Sequence, residues 1–302
     1  MRGSRLKHRL HKNLSDAFER EEEKDQKEPK RIIFLSVEGT VSEPQYFERL
    51  GKRIEQSDEA VFRIEVLTRM KSDGHSEPKH VIELLNEYMD ILNEGPIPET
   101  WMKRLNEKYN ETTIRQVISS PQLVKKELRE EIYDELIAGG VNIEYRKYLK
   151  DISEEKGTTN NRDIFAVVID REGDNGKRSR SAIKSCISDC KEKGYNLYLT
   201  NPCFEFWLLL HLCDVKVEYA DRLNDLLSNK RVSSKHTFTS LEVSQLCGHA
   251  KKISQKNFDM YYYPKITQAI EHSKAFACEL EDIIDRLGTN LPELMLKLDL
   301  KY

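Results

Sequence analysis

Two short apolar runs that each lead into an acidic residue constrain the fold of this chain more than any other feature. Residues 31–37 read Arg-Ile-Ile-Phe-Leu-Ser-Val and lead into Glu38, and residues 163–169 read Asp-Ile-Phe-Ala-Val-Val-Ile and lead into Asp170. Continuous apolar runs of this length are typical of strands buried on both faces, as in a parallel sheet. Such a sheet is covered by helices on both sides, so we expect an α/β protein.

The segment after Glu38 predicts a helix. Ser42 is the expected N-cap, Gln45 completes a capping box, and Pro44 lies in the first turn. The residues that follow have apolar side chains at helical spacing, so the first strand is expected to pass through an acidic turn directly into a helix.

Further strands and helices follow in alternation. Residues 61–67 alternate like a strand, residues 78–93 have the apolar spacing of a helix, residues 182–190 predict a helix closed by Gly194, and residues 195–200 predict another strand. The strand–helix–strand order implies right-handed crossovers and a mainly parallel sheet.

These patterns divide the 302 residues into four parts. Residues 1–30 form a basic and charged N-terminal tail. Residues 31–93 and 161–215 form the α/β core, residues 94–160 are a helical insertion, and residues 216–302 are a helical C-terminal region.

Composition favours a cytoplasmic protein. Charged residues make up 33% of the chain and hydrophobic residues 38%, and no stretch approaches the roughly 20 apolar residues that a membrane span needs. The first residues lack the apolar core of a signal peptide. We therefore expect no membrane partner.

The six cysteines form no CxxC pair, which favours buried free thiols in a reducing compartment. A zinc site is the less favoured alternative to small apolar core residues, and it would draw on Cys186, Cys190, Cys203, His211 and Cys213.

Basic residues are clustered although the formal net charge is -3. One cluster lies in the tail, at Arg2, Arg5, Lys7, Arg9 and Lys12. The other follows Asp170, at Arg171, Lys177, Arg178, Arg180 and Lys184. Basic groups beside an acidic pocket suit a phosphodiester backbone, whereas a solvated helix face is the alternative.

The acids after the two strands predict a metal site. Carboxyl ends of parallel strands meet at one edge of the sheet, so Glu38, Asp170 and Glu172 are expected to converge. Clustered carboxylates repel unless a cation lies among them, and oxygen ligands favour Mg²⁺ or Mn²⁺. Glu38, on a separate loop, is the expected general acid or base.

Three segments resemble the RloB family. They are residues 34–47, with the order Phe-Leu-Ser-Val-Glu-Gly-Thr-Val-Ser-Glu-Pro-Gln-Tyr-Phe, residues 169–174, with Ile-Asp-Arg-Glu-Gly-Asp, and residues 201–211, with Asn-Pro-Cys-Phe-Glu-Phe-Trp-Leu-Leu-Leu-His. Residues 288–292 are similar to the C-terminal end of the family. The resemblance implies a TOPRIM, Rossmann-like fold.

The resemblance also implies roles for individual residues. Glu38 matches a general acid or base, and Glu43 matches an acid near a second metal. Asp170 and Glu172 stand where an Asp-x-Asp pair is expected, with Glu172 departing from the usual aspartate. Lys252, or its neighbour Lys251, is the expected cation that stabilises the transition state.

The remaining candidates each keep two interpretations. Asp174 is either a further metal ligand or a solvated loop acid. Glu205 is favoured as a ligand at the same site, and its alternative is an acid that interacts with a helix dipole. Phe206, Trp207 and His211 are expected in the core.

The function that the resemblance implies is a metal-dependent nuclease acting on DNA or RNA, tRNA included, as the effector of an anti-phage abortive-infection system. A non-catalytic TOPRIM-fold regulatory or assembly subunit is the alternative, and a primase-like nucleotidyl transferase is less favoured. No Walker A pattern is present, so an ABC- or AAA-type ATPase partner would be a separate chain. Homo-oligomerisation stays open.

Overall fold

Five strands form one sheet in the order β2-β1-β3-β4-β5. A computed structural model of the protein describes residues 31–56, 61–68, 77–156, 163–172, 178–248 and 252–298, without the side chains of residues 153–156. The strands are β1 (Arg31–Val37), β2 (Phe62–Leu67), β3 (Ile164–Asp170), β4 (Asn196–Asn201) and β5 (Gly288–Thr289).

Strand direction agrees with the predicted parallel sheet. β1 pairs in parallel with both β2 and β3, and β3 pairs in parallel with β4. Only β5 is antiparallel, and it pairs with β4. The C-terminal region, expected to be helical, therefore also contributes a two-residue strand. The expected Rossmann-like α/β fold is confirmed.

Helices cover both faces of the sheet because side chains of a strand alternate between its two sides. Ile33 and Leu35 of β1 join one core, and Ile32 and Phe34 join the other. The helices between the core strands are α1 (Ser42–Glu55), α2 (Pro78–Glu94), α7 (Arg180–Lys193) and α8 (Phe204–Leu212). Helices α1 and α8 contribute to the first core, and α2 and α7 contribute to the second.

Residues between α2 and β3 fold into helices with a small core of their own. They are α3 (Glu99–Leu105), α4 (Glu111–Ser119), α5 (Lys126–Ala138) and α6 (Ile143–Lys156). The last of these also packs against α2, since Tyr145 and Leu149 belong to the core on the α2 face of the sheet.

Short helices make up most of the C-terminal region. They are α9 (Val215–Glu218), α10 (Leu223–Ser228), α11 (Phe238–Cys247), α12 (Gln255–Asn257), α13 (Ile266–Ser273), α14 (Leu280–Ile283) and α15 (Leu291–Lys297), with a π-helical turn at Phe258–Tyr262. Helices α11 and α13 pack on α8. Helix α8 is therefore buried, and Phe206, Trp207 and His211 lie in the core as expected.

The predicted capping box at the start of α1 is wrong. Ser42 is the first helical residue, and the cap position belongs to Val41, which supplies no capping side chain. The Oε1 atom of Gln45 instead accepts a hydrogen bond from the backbone N–H of Ile253 at 2.7 Å. The side-chain amide of Gln45, which a local capping box would use, thus makes a tertiary contact with the C-terminal region instead.

The predicted end of α7 at Gly194 is correct. Gly194 has a φ of 72°, and its N–H bonds to the carbonyl groups of Cys190 and Lys191. Glycine adopts this left-handed conformation at little cost. Within the described ranges, every helix is too short or too polar to cross a membrane.

Candidate active site

The acidic residues lie where the strand order of the sheet reverses. From β1 the chain continues to β2 on one side, and from β3 it continues to β4 on the other. In open α/β sheets, ligands bind outside the carboxyl ends of the strands at this point. Glu38 directly follows β1 and Asp170 ends β3, and the Glu38 N–H donates to the Val168 carbonyl at 3.2 Å.

Glu38 and Asp170 are in direct contact. The Oε2 atom of Glu38 accepts a hydrogen bond from the backbone N–H of Asp170 at 3.0 Å. Both residues are buried, with Glu38 5% and Asp170 8% exposed. The convergence of these two residues, expected from the positions of the strands, is therefore present in the structure.

Arg178 bridges Glu38 and Glu172. Its Nη2 atom contacts Glu38 Oε1, and its Nη1 atom lies 2.8 Å from Glu172 Oε2. The Arg178 side chain is only 12% exposed, whereas that of Glu172 is 48% exposed. Sequence reasoning assigned Arg178 to a basic run for phosphate contacts and missed it as a site residue. Its position shortly after the acids was the available signal.

Glu172 has an unusual backbone conformation. Its φ is 42°, in the left-handed region that non-glycine residues rarely adopt. The Glu172 N–H donates to the Pro202 carbonyl at 2.8 Å, and the neighbouring Arg171 N–H donates to Thr200 at 2.9 Å. These bonds fix the loop after β3 to the end of β4. They hold Glu172 in its left-handed conformation, for which a strain of about 1 kcal/mol is typical.

Arg171 has a structural role, so the expectation that it forms part of a phosphate-binding surface was wrong. It is 4% exposed, with Nε donating to the Ile284 carbonyl at 2.9 Å and Nη1 donating to the Arg178 carbonyl at 2.7 Å. Of the rest of that basic run, Arg180 pairs with Asp285 and Lys184 with Glu281, while Lys177 lies outside the described residues.

Glu43 approaches the site from the first turn of α1. Its carboxylate lies so close to Gly39 that a methyl group at Gly39 would overlap it. Burial, followed by the charges of Glu205 and Glu38, raises the pKa of Glu43 to about 8, although the N–H groups of Glu43 and Gly39 partly oppose the shift. The neutral form of this carboxyl is therefore favoured.

Asp170 lies at a position that disfavours a negative charge. Burial raises its pKa well above the ordinary value, and the charges of Glu43, Glu38, Glu205 and Glu172 add to this effect. Its Oδ1 atom is buried and has no hydrogen-bond partner among the described residues. An unpartnered buried oxygen is costly, so this position is suited to a ligand that the protein alone does not supply.

Glu205 is half-buried in the first turn of α8. Its charge acts on both Glu43 and Asp170, which places it in the same acidic cluster. Burial, followed by the charge of Glu205, also raises the pKa of the Cys203 thiol. Both earlier interpretations stay open, because the residue lies at a helix N-terminus and beside the site.

The expected lysine, Lys252, belongs to the C-terminal region of the chain. Lys252 is exposed, and the adjacent Ile253 is held to Gln45 in the first turn of α1. This turn also carries Glu43. Asp174, Lys251 and the basic tail at residues 1–30 lie outside the described residues.

In the ranges that the structure describes, no group of three or more His, Cys, Asp or Glu residues is arranged to hold a metal ion. Arg178 lies between Glu38 and Glu172, as a cation would. The donor set nevertheless fits a hard divalent ion, since every candidate ligand is an oxygen and Asp170 Oδ1 is buried with no partner in these ranges. A cation would also reduce the repulsion that raises the pKa of Asp170 and Glu43.

His211 is a core residue, as predicted. Its Nδ1 atom lies 2.8 Å from the Trp207 carbonyl and its Nε2 atom 3.1 Å from the Tyr46 hydroxyl. Burial lowers its pKa to about 3. Phe206 and Trp207 are likewise fully buried.

The cysteines of the alternative zinc site do not come together. Cys186 and Cys190 belong to the core on the α2 face of the sheet, whereas Cys247 and Phe204, the helical neighbour of Cys203, belong to the core on the α1 face. His211 contacts Tyr46 and Trp207, which belong to the core on the α1 face. These thiols are therefore small core residues on separate sides of the sheet.

The fold and the site define an α/β protein of Rossmann-like topology with an acidic cluster at its switch point. A family model described as RloB-like protein matches residues 33–298. Because this match covers most of the chain, the protein belongs to the RloB-like family. No curated protein and no solved structure matched the chain significantly.

Proposed function

We propose that this protein is a divalent-metal-dependent nuclease of the TOPRIM type that hydrolyses phosphodiester bonds in DNA or RNA, tRNA included. The observation that carries the proposal is the environment of Asp170. Within the part of the chain that the structure describes, its Oδ1 atom is buried without a partner, and four other carboxylates act on Asp170 at the switch point of the sheet. Such a cluster suits a divalent cation, which offsets the repulsion of the carboxylates and can bind a phosphate oxygen.

In this proposal, four carboxylates hold Mg²⁺ or Mn²⁺, those of Glu38, Glu43, Asp170 and Glu172, with Glu205 and Asp174 as further ligands. A divalent ion would supply Lewis acidity toward a phosphate oxygen and lower the pKa of water at the site. The high pKa of Asp170 and Glu43 means that both carboxyls would release protons when the ion binds.

Glu38 is the proposed general acid or base. The Asp170 N–H fixes one of its oxygens and the Arg178 guanidinium contacts the other, so the carboxylate has a defined direction. Proton transfer by Glu38 requires that Arg178 moves off its Oε1 atom. A phosphate would favour this movement, since guanidinium groups bind phosphate oxygens in pairs.

Two cations of the chain would then face the substrate. Arg178 contacts the carboxylates. Lys252 directly precedes Ile253, whose N–H is hydrogen-bonded to Gln45 in the first turn of α1. Positive groups held near the reacting phosphate stabilise the negative charge that develops in the transition state. We propose that Arg178 has this role together with Lys252.

The proposed setting is anti-phage abortive infection, as the RloB-like family resemblance implies. In such a system this chain would be the effector, and a separate ABC- or AAA-type ATPase chain would control its activity. The basic tail at residues 1–30 would contribute to binding of the nucleic acid.

A second candidate is a non-catalytic regulatory or assembly subunit of such a complex. The pairing of Arg178 with Glu38 and Glu172 favours it, because a guanidinium already neutralises two of the five acids. A permanent Arg178 bridge would serve a structural role and would oppose entry of a metal ion.

The decisive experiment measures metal binding and cleavage separately on the full chain. Calorimetry with Mn²⁺ alone should detect binding to the wild type, and Glu38→Gln and Asp170→Asn should weaken it. Plasmid, oligonucleotides and total tRNA are then incubated with each variant in Mg²⁺ or Mn²⁺. Glu111→Gln, at an exposed residue of α4, is the matched control and should behave as the wild type.

The outcomes separate the two candidates. Cleavage that depends on Glu38 and Asp170 supports the nuclease, and cleavage that survives both substitutions contradicts the site. If Mn²⁺ binds without cleavage in vitro, toxicity during phage infection is compared between the wild type and both variants. Toxicity lost in both variants supports a silenced nuclease, and equal toxicity supports the non-catalytic subunit.

A further inference from the structure

Strand β2 is the outermost strand at one end of the sheet, among the described residues. The Arg31 N–H donates to the Val61 carbonyl at 2.9 Å, and Arg31 lies opposite Phe62 in the parallel register. In a parallel pair, the backbone groups of alternate residues point to the same neighbour. The backbone groups of Phe62, Ile64 and Val66 are therefore directed away from β1.

We propose that β2 pairs antiparallel with β2 of a second copy of this chain, about a two-fold axis at Ile64. In this register Ile64 and the partner's Ile64 form a hydrogen-bonded pair, because both direct their N–H and C=O groups outward. Phe62 then lies opposite the partner's Val66, which is also a hydrogen-bonded pair.

Charge complementarity selects this register. With the axis at Ile64, Arg63 lies opposite the partner's Glu65, and Glu65 lies opposite the partner's Arg63. Both are non-hydrogen-bonded pairs, in which the side chains of an antiparallel ladder approach most closely. An axis at Arg63 or at Glu65 would instead place like charges opposite each other.

The surroundings of β2 allow a second strand to approach. A groove of about 400 Å³ runs along this edge, bordered by Lys52 and Glu55 of α1 and by Tyr148 of α6. Arg63 pairs with Glu55 at 3.1 Å while its side chain remains 35% exposed, so its guanidinium is held at the edge.

Edge strands of natural sheets also carry charges that prevent association. These charges are typically of one sign, lysines above all. Here the two charges of β2 are opposite in sign and spaced so that antiparallel pairing of two copies places opposite charges across from each other. This spacing favours a homodimer with a continuous sheet over a protected edge.

The dimer is independent of the proposed nuclease activity. An antiparallel pair reverses the strand direction between the two copies, so the carboxyl ends of their strands lie at opposite edges of the joined sheet. Each copy thus keeps its own acidic site, and the association state can be measured without any activity assay.

Light scattering on the full chain across a micromolar concentration series tests the proposal. The wild type should be a dimer, and Arg63→Glu and Glu65→Arg should each weaken it by roughly tenfold or more, because each places like charges in two symmetric pairs. The double variant Arg63→Glu/Glu65→Arg should restore the homodimer. Arg115→Glu, at an exposed residue of α4, is the matched control and should leave it unchanged.

Mixing gives the sharpest outcome. Arg63→Glu has two acids at these positions and Glu65→Arg has two arginines, so the two single variants should form a heterodimer that native mass spectrometry detects. Circular dichroism verifies their folding, and Glu65→Arg alone, measured against the wild type and the Arg115→Glu control, carries the test should Arg63→Glu fail to fold beside Glu55. A monomeric wild type, or single variants as dimeric as the wild type, would overturn the proposal.

Discussion

The Asp170 carboxyl and the His211 imidazole are both buried polar groups, and their surroundings are opposite in kind. Both ring nitrogens of His211 have partners, the Trp207 carbonyl and the Tyr46 hydroxyl, and burial lowers its pKa to about 3, which keeps it neutral. Asp170 has an oxygen without a partner in the described part of the chain, and burial together with like charges raises its pKa.

One helix connects the two environments. Glu205 in the first turn of α8 belongs to the acidic cluster, and His211 in the last turn of the same helix belongs to the aromatic core. A buried polar group whose partners are all internal stabilises the fold. One that lacks a partner among like charges costs stability, and it indicates a place for a ligand.

The largest expected effect comes from Asp170→Asn, which keeps the shape of the side chain and removes its charge. Cleavage should fall on the order of a thousandfold, about 4 kcal/mol in activation free energy, while the metal-free protein should melt no lower than the wild type. Single-turnover kinetics and thermal unfolding measure the two effects. Asp225→Asn, at an exposed residue of α10, is the control, and retained cleavage would refute the role of Asp170.

His211→Phe is expected to lower stability and to leave the acidic site intact, which is the opposite of Asp170→Asn. Loss of the imidazole removes two hydrogen bonds from a buried site, so the free energy of unfolding should fall by about 2–3 kcal/mol with Mn²⁺ affinity unchanged. Urea denaturation measures the loss. The double variant His211→Phe/Tyr46→Phe should lose less free energy of unfolding than the two single variants lose together. Strict additivity would argue against coupling of these two side chains.

Gly39→Ala should affect the site without changing any of its acids. The added methyl group overlaps the Glu43 carboxylate and displaces it, so Mn²⁺ affinity should fall about tenfold with little change in stability. Calorimetry measures the affinity. Gly51→Ala is the matched control, because a methyl group there makes only an ordinary contact with Ile64. Equal affinity in the two variants would mean that Glu43 does not contribute to metal binding.

The smallest expected effect is a change in the pH dependence of stability. The pKa of Glu43 is about 8 in the folded protein against an ordinary value of 4.5, so the folded state retains a proton that the unfolded chain releases. The stability that this group contributes is therefore complete below about pH 4.5 and is lost as the pH rises to about 8.

Glu43→Gln should reduce that slope by on the order of 1 kcal/mol between pH 5 and pH 8 in metal-free buffer. Urea denaturation in the presence of a chelator measures it, with Glu48→Gln, on the same helix, as the control. Identical slopes in the wild type and Glu43→Gln would show that the proton resides elsewhere in the cluster.

Most of the sheet could be predicted from the sequence. Strands β1 and β3 are continuous apolar runs, and Gly194 marks the end of α7, because these signals are written in neighbouring residues. The contact of Glu38 with Asp170 followed from the same signals, since adjacent parallel strands bring their carboxyl ends together. Strand β5 was missed, because two residues carry no periodicity.

The sequence by itself therefore determined the alternation of strands and helices, the family, and the two acids at the ends of adjacent strands. Only the tertiary structure decided how those acids are surrounded: Arg178 between Glu38 and Glu172, Glu43 against Gly39, and Asp170 Oδ1 without a partner. Local patterns encode elements because each depends on near neighbours in the chain. The balance of charge and hydrogen bonds at the site depends on residues that are distant in sequence, and it exists only once the sheet and its covering helices are packed.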